Sequence, residues 1–239
     1  GKLQEALQVL DDGLTADRLA HRGFRISNGQ ALKYYMKGEI HLELGDLDKA
    51  RREFEMSNAL VDSTLGVRDR FMAYPAYVTT LVRLGKVDSA RAMLQLGCSR
   101  IDATGACISG KHRMKARFNL ETGDTTGCLA QVDTLLDLNL ARFDDRFVWS
   151  ELMLDRDPSA TVKQLESLLA DYSPELRLTC GTRGVRVYYL LGEAYEMVGR
   201  NEDAMASYEK FLTIWRDADP ELTLVDSART RLTSLRSGS

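Results

Sequence analysis

The stretch Tyr188-Tyr189-Leu190-Leu191-Gly192-Glu193-Ala194-Tyr195, followed by Gly199, Ala204, Tyr208 and Phe211, decides the fold. Its apolar and aromatic residues recur at intervals of three and four, the period at which side chains share one face of a helix. Gly199 breaks that period. Glycine enters the left-handed backbone region without a Cβ clash, so it closes one helix and lets the chain reverse. Ala204 then opens a second stripe, continued by Tyr208 and Phe211. A small residue there allows the second helix to approach the first closely. The segment reads as a helical hairpin whose inner stripe is too wide to bury alone.

The hairpin signal recurs along the chain. A glycine stands five residues before a small residue in Gly1-Lys-Leu-Gln-Glu-Ala6, Gly45-Asp-Leu-Asp-Lys-Ala50, Gly85-Lys-Val-Asp-Ser-Ala90, Gly123-Asp-Thr-Thr-Gly-Cys128 and Gly199-Arg-Asn-Glu-Asp-Ala204. Asp46, Asp124 and Asn201 follow their glycines where a side chain can accept the orphan amides of the next helix. Ala50 with Phe54, Ala90 with Leu94, Cys128 with Val132 and Ala204 with Tyr208 are helical i, i+4 pairs. Tyr34, Gly38 and His41 precede the second turn as Tyr188, Gly192 and Tyr195 precede the last. Hairpins of this kind complete their core by stacking on neighbours, so they occur in arrays.

With these residues in hand, the chain resembles the tetratricopeptide repeat family. Tyr188, Leu191, Gly192, Tyr195, Ala204 and Tyr208 follow its W/Y-x2-L-G-x2-Y…A-x3-F/Y pattern. Tyr34, Gly38, Gly45, Ala50 and Phe54 match it too, with Lys37 where leucine is usual. The units around Gly85 and Gly123 keep the turn and the small residue but lose the small residue or the aromatics of the first helix. A degenerate unit near residues 142–171 turns around Arg156-Asp157-Pro158. Successive turn glycines lie 44, 40 and 38 residues apart, so the units are longer than the family's 34-residue repeat.

The resemblance implies an all-α fold: a right-handed superhelix of stacked antiparallel helix pairs with a C-terminal capping helix. One repeat domain is expected over 1–239. It would hold an orphan second helix over 1–20, pairs over about 31–62, 70–100, 109–139, 142–171 and 183–216, and a cap over 221–236. Because the chain opens at the turn of a repeat, more protein is expected upstream. Tyr208 to Leu212, Trp215, Asp217-Ala-Asp-Pro220 and the Arg- and Leu-rich tail also resemble the C-terminal part of repeat regions in bacterial Ser/Thr kinases, cyclases and transcriptional regulators.

Composition agrees with a helical array. Of 239 residues, 44% are apolar and 28% charged, and only four are proline. The formal net charge of −3 gives no global attraction to nucleic acid or an acidic membrane. No apolar run approaches the roughly 20 residues that span a bilayer. The expected location is cytoplasmic, or extracytoplasmic if the region is tethered to a membrane-spanning kinase.

Catalytic signals are lacking. His21, His41 and His112 form no close pair, and Cys98, Cys107, Cys128 and Cys180 are irregularly spaced without a C-x-x-C pair. There is no Walker-type phosphate loop and no G-x-S-x-G elbow. No enzyme activity, metal or cofactor is expected of this chain. His41 stands where the family places a core aromatic, and His112 lies within a basic, solvated run.

In the family, the first helix of each pair lines a concave groove. Mapped onto this sequence, its positions fall at Tyr35, Glu39 and Glu43, at Thr79 and Arg83, at Arg113 and Arg117, and at Tyr189, Glu193 and Glu196. The run Lys111-His-Arg-Met-Lys-Ala-Arg117 contains no acid, and Arg113 and Arg117 share a helix face at i, i+4. Two guanidinium groups so placed suit a carboxylate of an acidic segment. The partner-binding groove is therefore expected at Tyr35, Glu39, Arg83, Arg113, Arg117, Tyr189 and Glu193, and its partner is a protein or peptide rather than nucleic acid. The Lys/Asn carboxylate clamp of some family members is replaced by Tyr35 and Glu39, and again by Tyr189 and Glu193. Self-association through helix edges, and a small-ligand sensor, are the rival expectations.

Overall fold

The computed structural model describes residues 2–19, 23–64, 73–104, 108–171, 183–219 and 222–238. Their regular structure is all α-helix, with no strand among them. The turn expected at Gly1, the residues Cys107 and Cys180, and the Pro220 stop lie outside the described residues.

Two compact units emerge, Leu3–Leu135 and Leu136–Ser239. The first contains α1 (Leu3–Leu19), α2 (Gly23–Glu43), α3 (Leu47–Thr64), α4 (Ala73–Arg83), α5 (Val87–Thr104), α6 (Ile108–Glu121) and most of α7 (Thr125–Asp137). There α1 packs on α2, α2 on α3, α3 on α4, and α4 on α5, while α6 packs on both α4 and α5. The second contains α8 (Phe143–Met153), α9 (Pro158–Ala170), α10 (Arg183–Met197), α11 (Asn201–Ile214) and α12 (Leu224–Gly238). There each helix packs on the next, and α8 also touches α10. First helices thus meet one another across a pair, and α1, α3, α5, α9 and α11 each bridge to the helix that follows, as stacked hairpins require.

Four corners share one mechanism. Gly45, Gly85, Gly123 and Gly199 have φ of 78°, 73°, 86° and 76°, in the left-handed region. In each, the residue after the glycine donates its N–H to a carbonyl five residues back: Asp46 to His41 at 2.9 Å, Lys86 to Leu81 at 2.8 Å, Asp124 to Asn119 at 2.8 Å and Arg200 to Tyr195 at 2.9 Å. The glycine N–H itself bonds three residues back. This is the Schellman arrangement, which satisfies carbonyls left over at a helix end. Asp46 and Asp124 accept the N–H groups of Lys49 and Gly127, as expected of caps. Asn201 differs: α11 starts on it, and Arg200 takes the cap position without a side-chain bond.

The small residue four beyond each cap position is fully buried at Ala50, Ala90, Cys128 and Ala204. Close approach of the paired helices is literal at Gly38 and Gly192. A Cβ on Gly38 would fall 2.5 Å from the Phe54 ring, and one on Gly192 would fall 2.6 Å from the Tyr208 ring.

The degenerate pair keeps this register without a glycine. Asp157 caps α9 by accepting the N–H of Ala160 at 2.9 Å, with Pro158 in the first helical turn. Thr161 and Leu165 then occupy the places of Ala50 and Phe54, both fully buried. Burial of the Thr161 hydroxyl is tolerated because it donates to the Asp157 carbonyl at 3.0 Å.

Candidate interaction surface

Helix pairing places the expected groove residues on α2, α4 and α6 of one unit and on α10 of the other. Tyr35 is half-buried, its ring 6.1 Å from Phe54 and packed against the core of Ala50, Tyr77, Val78 and Leu81. Thr79 is buried, and its hydroxyl has no hydrogen-bond partner among the described residues. Arg83 meets Glu121 at the end of α6 through two bonds, Nε to Oε2 at 2.8 Å and the second nitrogen to Oε1 at 2.9 Å. That fork ties α4 to α6 and occupies the Arg83 guanidinium. Arg113 and Arg117 are half-buried on α6, where Met114, Ala116 and Phe118 are buried. Glu39 and Glu43 are half-buried at the end of α2.

In the second unit the acidic positions face an internal partner that sequence reasoning missed. Arg231 of α12 pairs with Glu193 at 2.8 Å and with Glu196 at 3.1 Å. Burial pushes the Glu193 carboxyl above the usual carboxylate range although Arg231 pulls the other way. Tyr189 packs its ring 5.8 Å from Tyr208 and 5.6 Å from Phe211. Only the folding of α12 back toward α10 brings these groups together, and nothing local in either segment signals it.

Two further devices recur. At Glu55, Tyr77 Oη donates at 2.8 Å and Arg51 at 2.7 Å to the same oxygen. At Glu166, Tyr195 Oη donates at 2.7 Å and Arg200 at 3.2 Å. Glu55 and Glu166 both stand nine residues beyond their caps, and each joins a second helix to the next first helix. Burial, helped by the Glu166 bond, pushes the Tyr195 phenol up to about 12.

The lysine in place of leucine at Lys37 is accommodated by charge. Its Nζ lies 2.7 Å from Asp11 of α1 and 2.8 Å from Glu53 of α3, with only 11% of the side chain exposed. A desolvated ammonium requires such partners. His41 is buried, as its core position implied, and burial lowers its pKa. His112 is half-buried rather than solvated, with Nδ1 2.9 Å from Gln131 Oε1 of α7. Cys98 is half-buried and Cys128 fully buried. Among the described residues there is no group of three His, Cys, Asp or Glu fit to hold a metal ion. No described helix is long and apolar enough to cross a membrane.

Comparison with known proteins places this geometry. The tetratricopeptide repeat family model matches residues 34–55 and 185–215. Curated sequences provide no match. Among solved structures, the nearly identical TPR-like repeats of a Podosopora anserina kinesin light chain align with 14% identity over 78% of this chain and 95% of that one, at a TM-score of 0.45. The TPR domain of P58(IPK) aligns with 14% identity over 99% of this chain and 65% of that one, at a TM-score of 0.42. Scores this low carry no weight for the fold, which stands on the helix pairs themselves. The family's repeats mediate protein–protein contacts and form a typically non-catalytic scaffold. Both matched segments centre on corners described above, Gly45 between Gly38 and Ala50, and Gly199 between Gly192 and Ala204. Residues 34–55 and 185–215 of this chain are similar to tetratricopeptide repeats.

Proposed function

We propose that the chain is an interaction scaffold whose unit Leu3–Leu135 binds an acidic peptide segment along α2, α4 and α6. One observation carries this reading: Tyr35 and Arg113 both stand eleven residues before their turn caps, and Glu39, Thr79 and Arg117 stand seven before theirs. Side chains at matching places on first helices that pack side by side form a continuous strip. Arg113 and Arg117 supply the polar anchors and Tyr35 an apolar one, the residue types that dominate interface energetics. Arg83 enters as half of the Arg83–Glu121 fork, so it contributes only where an incoming carboxylate displaces Glu121. Tyr189 and Glu193 belong to the other unit, where Arg231 engages the acid. The resemblance of the C-terminal run supports a role for the scaffold within a cytoplasmic bacterial regulator of several domains.

The test is selection of short displayed peptides on the intact chain, followed by affinity measurement on Arg113→Glu/Arg117→Glu. Enrichment of Asp and Glu beside an apolar residue is expected, with affinity falling about tenfold or more in the reversed variant. Selected peptides that bind both chains equally would remove the proposal. Sedimentation separates the self-association rival: a stable dimer from which no peptide is selected would favour it.

A further inference from the structure

Helix α1 buries Leu3 and Leu14. Two ion pairs join it to α2. Asp17 lies 2.6 Å from Lys33 and Asp11 lies 2.7 Å from Lys37. The earlier acid pairs with the later base, so α1 crosses α2 antiparallel. Leu14 is buried midway between the two acids, and the Lys33 stem lies over Gly13, where a Cβ would sit 3.0 Å from its Cε. With Glu5, Asp11, Asp12 and Asp17 against one Arg18, α1 is an acidic helix on a lysine-bearing edge. Lys37 keeps Glu53 of α3 as a second partner when α1 leaves, whereas Lys33 is released to meet an incoming carboxylate.

We infer that the Lys33–Lys37 edge of α2 is a docking site for an acidic amphipathic helix, filled by α1 and open to a partner helix that displaces it. The recognised pattern is an apolar residue flanked three positions away on each side by carboxylates, as Asp11, Leu14 and Asp17 present it. This surface is distinct from the strip of Tyr35, Glu39, Arg113 and Arg117, so either can fail without the other.

The test uses the full chain and its Asp11→Asn/Asp17→Asn variant. Hydrogen exchange of the α1 amides should speed up about three- to tenfold in the variant. The same rise is expected for the parent chain in about 1 M salt, where the Debye length is roughly 3 Å. Exchange in α10 and α11 should not change. A labelled peptide of residues 3–19 should bind the variant saturably, and adding Lys33→Glu should abolish that binding. Unchanged α1 exchange in both conditions, or a peptide indifferent to Lys33→Glu, would overturn the inference. So would concentration-dependent dimerisation without peptide binding, which assigns the edge to α1 of a second copy.

Discussion

At Gly38 and Gly192 the approach of two helices is decided by a single missing methyl. Gly192→Ala would put a Cβ among the atoms of the Tyr208 ring, and a buried ring cannot swing clear as a lysine tip can. Overpacking of this kind costs about 1–3 kcal/mol. Gly29→Ala, in a helix with nothing within 4 Å, should instead stabilise by about 0.5–1 kcal/mol. Denaturant unfolding of the two variants checks both the size and the opposite sign. Tyr195 gives a pH signature. Its phenol rises from an ordinary value of 10.0 to about 12 in the fold, so the unfolded chain ionises first and stability falls as pH climbs from 10 through 12. Thermal midpoints of Tyr195→Phe should decline less steeply across that window than those of the parent chain. The departure at Lys37 was visible in the sequence, because leucine is usual there. Its partners were not, since Asp11 and Glu53 come from two other helices and no local pattern marks an ion pair across three segments.

Corners were the most legible elements, and for a definite reason. A positive φ is tolerated by few residues, so Gly45, Gly85, Gly123 and Gly199 announce themselves. Gly199→Ala should cost about 1 kcal/mol, the penalty of a Cβ in that region, with the Schellman bonds retained. The corner at residues 154–157 was poorly legible because Asp157 and Pro158 replace the glycine with a different stop and start. Removing that cap with Asp157→Ala should cost about 1 kcal/mol, measurable by chemical denaturation. Once the cap is located, Thr161 and Leu165 fall into the register of the other pairs. The candidate strip was legible as positions along helices, but its electrostatics were not. Glu121 on Arg83 and Arg231 on Glu193 are contacts between helices distant in sequence.

Across the molecule, stability comes from nearest neighbours. The helix contacts within each unit join neighbours one or two places apart in the chain, which makes the energetics approximately a sum of local terms. A cavity or clash in α11 should therefore raise hydrogen exchange within Leu136–Ser239 and leave the slow amides of Leu3–Leu135 unchanged. A uniform rise over both units would mean a single cooperative core. All the pairs rest on one shared register, in which the residue four beyond each cap is pressed against its partner helix. Ala50, Ala90, Cys128, Thr161 and Ala204 are all fully buried at that place. The most direct test is the thermal midpoint of five variants, each with leucine at one of these positions. Every variant should melt lower by several degrees, at about 1–3 kcal/mol of overpacking and roughly 2–4 °C per kcal/mol. Thr161→Leu should fall with the rest although no glycine marks its turn, and an unmoved midpoint there would contradict the shared register.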